Sequence, residues 1–506
     1  MKKLLITIAL LLSWGCQREE ISNKSTTLRV NFPVPPASFD HQHATRGNTL
    51  SIFAFFYDGL YRLGSDGKAI PSVAKSVEQS PDGLRYTFHL KNTDWSNGDP
   101  VTAYDFERAW KWMVTPSNPS IYAERFYGIK NGLAIHEGRV DPDWLGAYAM
   151  DSATFIVELE EPCPYFLELI SLHSFYPSHS YDKSAMNGPF VVEEYYPETR
   201  LVLLQNPRYW DKDHIRLDRV EISFVEDDNT ELYLFEKGEL DWAGHPCNGG
   251  LPLDALAGLP NIQRVPSSAL FFYTFNVEHP LLKNRKVRQA LNLSINRDQI
   301  VKHITHANDN YSTNFVLEEK RPNIPSDADL KLLFEEGWRE AGSPPRTFTL
   351  SYNQIELQST LAQFIQARWN KLFGLQVKIE ALEWESYLQT LCDGKFDCIR
   401  CMRSPVVNDP VPLLEIFVDP KHPRQHSNWS NSSFVTAFQK GRNSIDVVER
   451  KKWLDEAIAI FNEETPVAPL FYQTLCFLKN PKLHDEVISP MGMIDFKWAY
   501  FEESEK

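Results

Sequence analysis

Seven cysteines are the first residues of this chain whose chemistry can be asked about: Cys16, Cys163, Cys247, Cys392, Cys398, Cys401 and Cys476. Cys398-Ile399-Arg400-Cys401 has the spacing of half a structural zinc site, and Cys392 lies just before it. Such zinc takes four ligands, normally from a second pair at similar spacing. No second pair exists, and His422 and His426 are too distant in sequence to complete a motif. No metal site is therefore expected. Six cysteines beyond Cys16 are also too sparse for a disulfide scaffold. A disulfide or buried thiols remain as readings of the Cys392/Cys398/Cys401 cluster.

Catalytic signatures are missing from the chain. It has no Gly-x-Ser-x-Gly elbow, no His-Glu-x-x-His pair and no phosphate-cradling loop; Gly67-Lys68 and Gly394-Lys395 lack the Ser or Thr that should follow. Carboxylates are numerous enough to supply a glycosidase pair, so a secreted hydrolase stays open as an alternative. With 67 Asp and Glu against 52 Lys and Arg, a net charge of −15, most of those carboxylates belong on solvated surface. The same balance argues against a nucleic-acid partner, which needs clustered surplus Lys and Arg.

The chain has 506 residues, 42% of them apolar, enough for roughly three domains at about 150 residues each. Lys2 and Lys3 precede an apolar run from Leu4 to Leu12, then Ser13-Trp14-Gly15-Cys16. That is the make-up of a secretory signal, and the run is too short to span a bilayer, which takes about 20 residues. Its Gly-Cys ending resembles a bacterial lipoprotein signal over 1–15, with Cys16 lipidated and 16–27 a polar tether. An ordinary signal peptide cut nearby is the other reading. No later stretch is long and apolar enough for a membrane span.

Several elements can be read directly. Leu50, Phe53, Phe56 and Tyr57 fall at helical spacing before Gly59, with Asn48 or Thr49 as cap. After the turn Pro81-Asp82-Gly83, Leu84, Tyr86, Phe88 and Leu90 alternate with polar residues as a half-buried strand. Thr154 to Leu159 and Arg219 to Val225 are further strands. Asn296 with Gln299 looks like a capped helix start. The stripe Leu361, Phe364, Ile365, Trp369, Leu372 stops at Gly374, and Leu375, Val377 and Ile379 then alternate. Helix, glycine, strand is an α/β unit suited to a partly parallel sheet.

Two blocks carry a family resemblance: Val73 to Leu90, and Trp95-Ser96-Asn97-Gly98-Asp99-Pro100-Val101-Thr102-Ala103-Tyr104-Asp105-Phe106. With Asn187-Gly188-Pro189-Phe190, Asn206-Pro207-Arg208-Tyr209-Trp210, Phe275-Asn276, Arg285 to Leu291 and Asp409-Pro410, the chain resembles the family-5 extracellular solute-binding proteins of oligopeptide ABC importers. The resemblance implies an α/β, two-lobed periplasmic-binding-protein fold of type II with an additional β-rich domain. Lobe I would comprise 28–60, 176–268 and 479–506, the extra domain 61–175 and lobe II 269–478. It implies a monomeric, lipid-anchored envelope protein without catalytic residues or cofactor. Such a protein takes a short peptide in the cleft and hands it to the importer's permease subunits. A specialised ligand, such as a cell-wall peptide, modified peptide or nickel complex, is the variant of this reading.

Site residues follow from the resemblance. Gly47, Asn48 and Thr49 match the first-lobe ligand loop, Tyr122 a tyrosine of the extra domain, and Trp384 a pocket-lining tryptophan. Phe271, Phe272 and Tyr273 lie where the family lays its peptide along a strand. Arg400 falls where an arginine reaches the peptide carboxylate, and Arg403 replaces a common aromatic. One departure stands out. Relatives commonly hold the ligand amine with an Asp three residues before the acidic-Pro pair, and here that place is Val406. Either Asp409 substitutes for it, or the ligand lacks a free amine there and Arg400 and Arg403 favour anions. The second outcome is the one expected.

Overall fold

Tyr86, Phe88 and Leu90 point into a core while Arg85 stays in solvent, so burial along Arg85–Leu90 follows the alternation of the sequence. The computed structural model that shows this describes residues 26–502 except 44–49, 119, 245–250, 252–254, 256–257, 317–323, 406, 421 and 423. Cys16, Gly47, Asn48, Thr49, Cys247 and Val406 lie outside the described residues.

Three main sheets organise the chain, an α/β architecture. In the first, Thr27–Asn31 pairs parallel with Arg219–Ser223, followed antiparallel by Arg200–Gln205 and Phe190–Tyr196. The second is an insertion of four antiparallel strands in the order Ala74–Gln79, Arg85–Leu90, Thr154–Glu158, Ala147–Ala149. The third has six strands, ordered Trp242–Ala243, Val467–Lys479, Gln263–Phe275, Cys398–Arg403, Thr347–Asn353, Gln376–Leu382. The helix Glu356–Phe373 joins its last two strands, which run parallel, and stops at Gly374 in the left-handed region at φ +64°. Asn296 accepts from the Gln299 N–H as the cap reading requires, but the helix it starts, Arg297–Ile300, passes at once into a wider turn.

The motif blocks are joints between these sheets. Asn187 brackets Asp58, accepting from its N–H at 3.1 Å and donating to its carbonyl at 2.9 Å. Gly188 follows where a Cβ would sit 2.4 Å from the Phe56 carbonyl carbon, so only glycine fits. Tyr209 and Trp210 both donate to the Asp58 carboxylate, at 2.6 and 2.8 Å. Arg288 spends its guanidinium on the carbonyls of Leu282, Lys283, Glu464 and Thr465.

Two 13-residue strands, Gln263–Phe275 and Val467–Lys479, run from one core into another. Leu475 and Phe477 belong to the core shared by the first two sheets, whereas Phe271, Tyr273, Ala468 and Phe471 belong to that of the third. Their pairing slips between Pro266 and Leu270, where the Ser267 hydroxyl donates to the Gln473 carbonyl at 2.8 Å. A slip of this kind bends an antiparallel pair. Two lobes thus share a bent two-strand connection, the geometry of a hinge.

Candidate functional site

Strand alternation sorts the expected site residues before any contact is considered. Along Gln263–Phe275, Phe271 and Tyr273 face one side and Phe272 the other, each among different core residues. Cys398–Arg403 pairs beside it, placing Arg400 opposite Tyr273 and Arg403 opposite Leu270. Arg400 and Arg403, three apart, therefore point to opposite faces and do not form one cationic pair. The same rule separates Cys398 from Cys401. Cys401 accepts from the Thr274 hydroxyl at 3.3 Å, and burial pushes both thiols up. All five described cysteines are free.

Arg400 is 8% exposed, and its guanidinium lies 4.8 Å above the Phe271 ring, which stacks on Phe471 at 4.9 Å. Its Nε is buried with no hydrogen-bond partner among the described residues, and no carboxylate there pairs with it. Its carbonyl accepts from the Tyr387 hydroxyl at 2.8 Å. Trp384, 57% exposed, stacks on Tyr387 with ring centroids 5.5 Å apart. Trp384, Tyr387 and the backbone of the Arg400 strand are therefore linked, with Trp384 open to solvent. Phe272 and Tyr273, by contrast, are packed within cores.

Tyr122 is buried edge-on against His173, with centroids 4.7 Å apart, and Arg125 lies 4.3 Å over its ring. Arg125 donates to the Ser174 hydroxyl at 3.2 Å. From the other lobe, Arg403 donates to the Arg424 carbonyl at 3.3 Å and keeps a buried Nε unpartnered among the described residues. Arg424 pairs with Glu124, 300 residues away in sequence, closing a contact between the insertion and the second lobe. Burial pulls the Arg125 and Arg403 guanidinium groups down to about 10, and the charge on Arg424 pulls both the same way. Both remain cations at neutral pH.

Asp409 does not stand free for a ligand amine. Both its oxygens accept from Arg450, at 2.8 and 2.9 Å, and it caps the Val411 N–H at 2.9 Å. That pairing speaks against Asp409 as a substitute carboxylate, the alternative that was not the one expected above. Sequence reading missed Glu124, Arg125 and Arg424. Arg125 was within reach, three residues after Tyr122 at helical spacing; the other two are joined only by the fold.

Comparison with known proteins follows the same lines. The family described as bacterial extracellular solute-binding proteins, family 5, matches residues 68–424. The oligopeptide-binding protein OppA of Bacillus subtilis is 32% identical over 95% of this chain and 93% of its own length. The dipeptide-binding protein DppE of the same organism is 30% identical over 93% and 91%. Among solved structures, the unliganded open form of the murein tripeptide-binding protein MppA superposes with a TM-score of 0.80. Its identity is 25%, covering 94% of this chain and 98% of that one. OppA of Haemophilus influenzae in complex with RPPGFSPFR has the same fold, with a TM-score of 0.77, 23% identity and coverage of 95% and 99%.

Proposed function

From the premise that this chain belongs to the family 5 bacterial extracellular solute-binding proteins, we propose that it captures short peptides between its lobes and presents them to an ABC importer permease. It acts by binding, not turnover. The observation that carries the reading to a peptide is Arg400, a buried cation whose guanidinium has no carboxylate partner among the described residues. Charge-assisted, bidentate carboxylate binding is what such a group does best. Phe271 lies beneath it, and Trp384 offers an open aromatic face for a side chain. We divide the body into lobe I (28–60, 176–268, 479–506), an extra domain (61–175) and lobe II (269–478); the cores support the split of lobe II from the rest, while lobe I and the extra domain share one core. Gly47, Asn48 and Thr49 complete the ligand contacts from the first lobe.

A panel of di- to pentapeptides, free and N-acetylated, tests this. A ligand that binds only the folded protein stabilises it by about 2.7 kcal/mol at a hundredfold excess over Kd. At least one peptide is expected to raise the melting temperature and shrink the radius of gyration. Acetylation is expected to change its affinity by less than about tenfold, because Asp409 is held by Arg450 and a charged hydrogen bond is worth about 1.5–3 kcal/mol. No response at millimolar peptide would sink the peptide reading. A hundredfold loss on acetylation would show that a carboxylate still holds the amine.

Cys16 is the proposed lipid attachment. No described helix is long and apolar enough to cross a membrane. A lipid adds about 0.8 kcal/mol per buried CH₂, and two or more chains anchor stably. Cys16→Ser is expected to move the folded body, as a monomer, from the membrane to the soluble fraction; unchanged partitioning would require another tether.

A further inference from the structure

Arginines withdrawn from water in this protein are satisfied to different degrees. Arg297 is fully buried, and its guanidinium is met by the carbonyls of Pro469, Asn292 and Ile295. Arg288 is satisfied in the same way, and Arg62 is held between two carboxylates. These are joints. Arg125 and Arg403 are different. Both are partly buried at the contact between the insertion and the second lobe, and among the described residues each has a single side-chain hydrogen bond, to a serine hydroxyl and a backbone carbonyl respectively. Arg424 joins them with its side chain half-exposed, and Glu124, the carboxylate that acts on all three among the described residues, is already taken up by Arg424.

Three guanidinium groups against one carboxylate leave an excess of two positive charges. Arg424 and Glu124 are half-exposed, but Arg125 and Arg403 are partly withdrawn from water, and withdrawing like charges together is unfavourable unless a counter-charge arrives. Nothing in the protein supplies it among the described residues, although the chain as a whole carries −15. The group also spans the lobe contact, with Arg125 and Glu124 on one side and Arg403 and Arg424 on the other. An anion placed there would bond to both lobes and favour the closed state, as ligand-driven closure requires. The Tyr122 ring contact occupies the face of the Arg125 guanidinium, whereas a planar carboxylate is met by its in-plane N–H groups, one of which donates to Ser174.

We propose that Arg125, Arg403 and Arg424 form a receptor for an acidic group of the ligand, so that this protein selects peptides or peptide-like solutes carrying a side-chain carboxylate. This subsite is distinct from Arg400, which lies on the opposite face of its strand from Arg403. It rests on the peptide reading above and names the class of peptide taken.

Calorimetry with two matched sets of tripeptides decides the matter: Ala-Ala-Ala with Glu placed at each position in turn, and the same set with Gln. Glu and Gln are nearly isosteric, so their ratio isolates the charge. At one position, Glu is expected to bind about tenfold to a hundredfold more tightly than Gln. Arg403→Gln and, separately, Arg125→Gln should bring that ratio below about threefold, the loss falling mainly on the Glu peptide. Arg400→Met should weaken the Glu and Gln peptides alike, preserving the ratio. Equal affinity for Glu and Gln at every position, with the peptides still binding, would overturn the acidic-group receptor and leave the peptide reading standing. A Glu preference that survives both substitutions would place the receptor elsewhere. If neither set binds, the peptide reading itself fails, and this inference falls with it.

Discussion

Arg400→Met is expected to give a protein that melts no lower than the unsubstituted chain yet binds peptides about tenfold to more than a hundredfold more weakly. The two effects have one cause. The Arg400 guanidinium has been taken out of water without a carboxylate among the described residues, and its Nε meets no acceptor there. The effective cost of leaving an unpaired ion buried is several kcal/mol. Its contact with the Phe271 ring returns part of this, about 0.5–2 kcal/mol for a cation over an aromatic face. A methionine of similar length would keep contact with Phe271 and Phe471 and remove the unpaired charge. Loss of binding follows because the ligand carboxylate would then be buried against an apolar side chain. Thermal unfolding of the empty protein and titration calorimetry, run side by side, check both halves. A clear fall in melting temperature would make Arg400 another joint like Arg297. Unchanged affinity would put the ligand carboxylate elsewhere.

How much of this was legible in the sequence depended on whether the signal was local. The helix ending at Gly374, the strand after Pro81-Asp82-Gly83 and the cap at Asn296 are local patterns, and the structure has each of them. The motif blocks were legible as a resemblance, but their physical role was not. Asn187, Tyr209 and Trp210 converge on Asp58 from more than a hundred residues away. The crossing strands were harder still. Phe271 to Phe275, Thr274 apart, and Val467 to Phe471 are apolar because both faces are buried, so no period marks them as one bent ribbon.

The site divides in the same way. Alternation alone would have put Arg400 and Arg403 on opposite faces of Cys398–Arg403, had that segment been read as a strand. Its Cys-x-x-Cys spacing drew attention to metal chemistry instead. Asp409 could not be assigned without knowing that the fold brings Arg450 to it. The Glu124–Arg424 contact exists only because two lobes meet, and no spacing within either segment encodes it.

The largest stability effect is expected at Asp58. Its side chain is fully buried with Arg62, and Arg62 also reaches Asp495 near the end of the chain. The Arg62 guanidinium further donates to the carbonyls of Ala54 and Tyr57, at 2.9 and 3.1 Å, closing the end of the helix Leu50–Phe56. That helix follows Gly47, Asn48 and Thr49 in the sequence. Removing one partner of such a pair strands the other and costs about 3–5 kcal/mol. Asp58→Asn keeps the shape and one acceptor but loses the charge, and should lower the melting temperature at pH 7 by several degrees. The pH dependence separates charge from packing. Burial alone would push the Asp58 carboxyl up, but Arg62, Lys497, Tyr209 and Trp210 more than offset this and hold it at about 2, against an ordinary 3.8. A depressed carboxyl contributes stability that is fully present above the ordinary value and is lost as pH falls through the depressed one. On the order of 2 kcal/mol should therefore disappear from the native chain between about pH 4 and pH 2. Asp58→Asn has no carboxyl to titrate, so its curve should lack that fall and the two proteins should converge in acid. Calorimetric melting from pH 7 downward reads the difference, and a gap that stays constant through pH 3 would assign the effect to packing and not to charge.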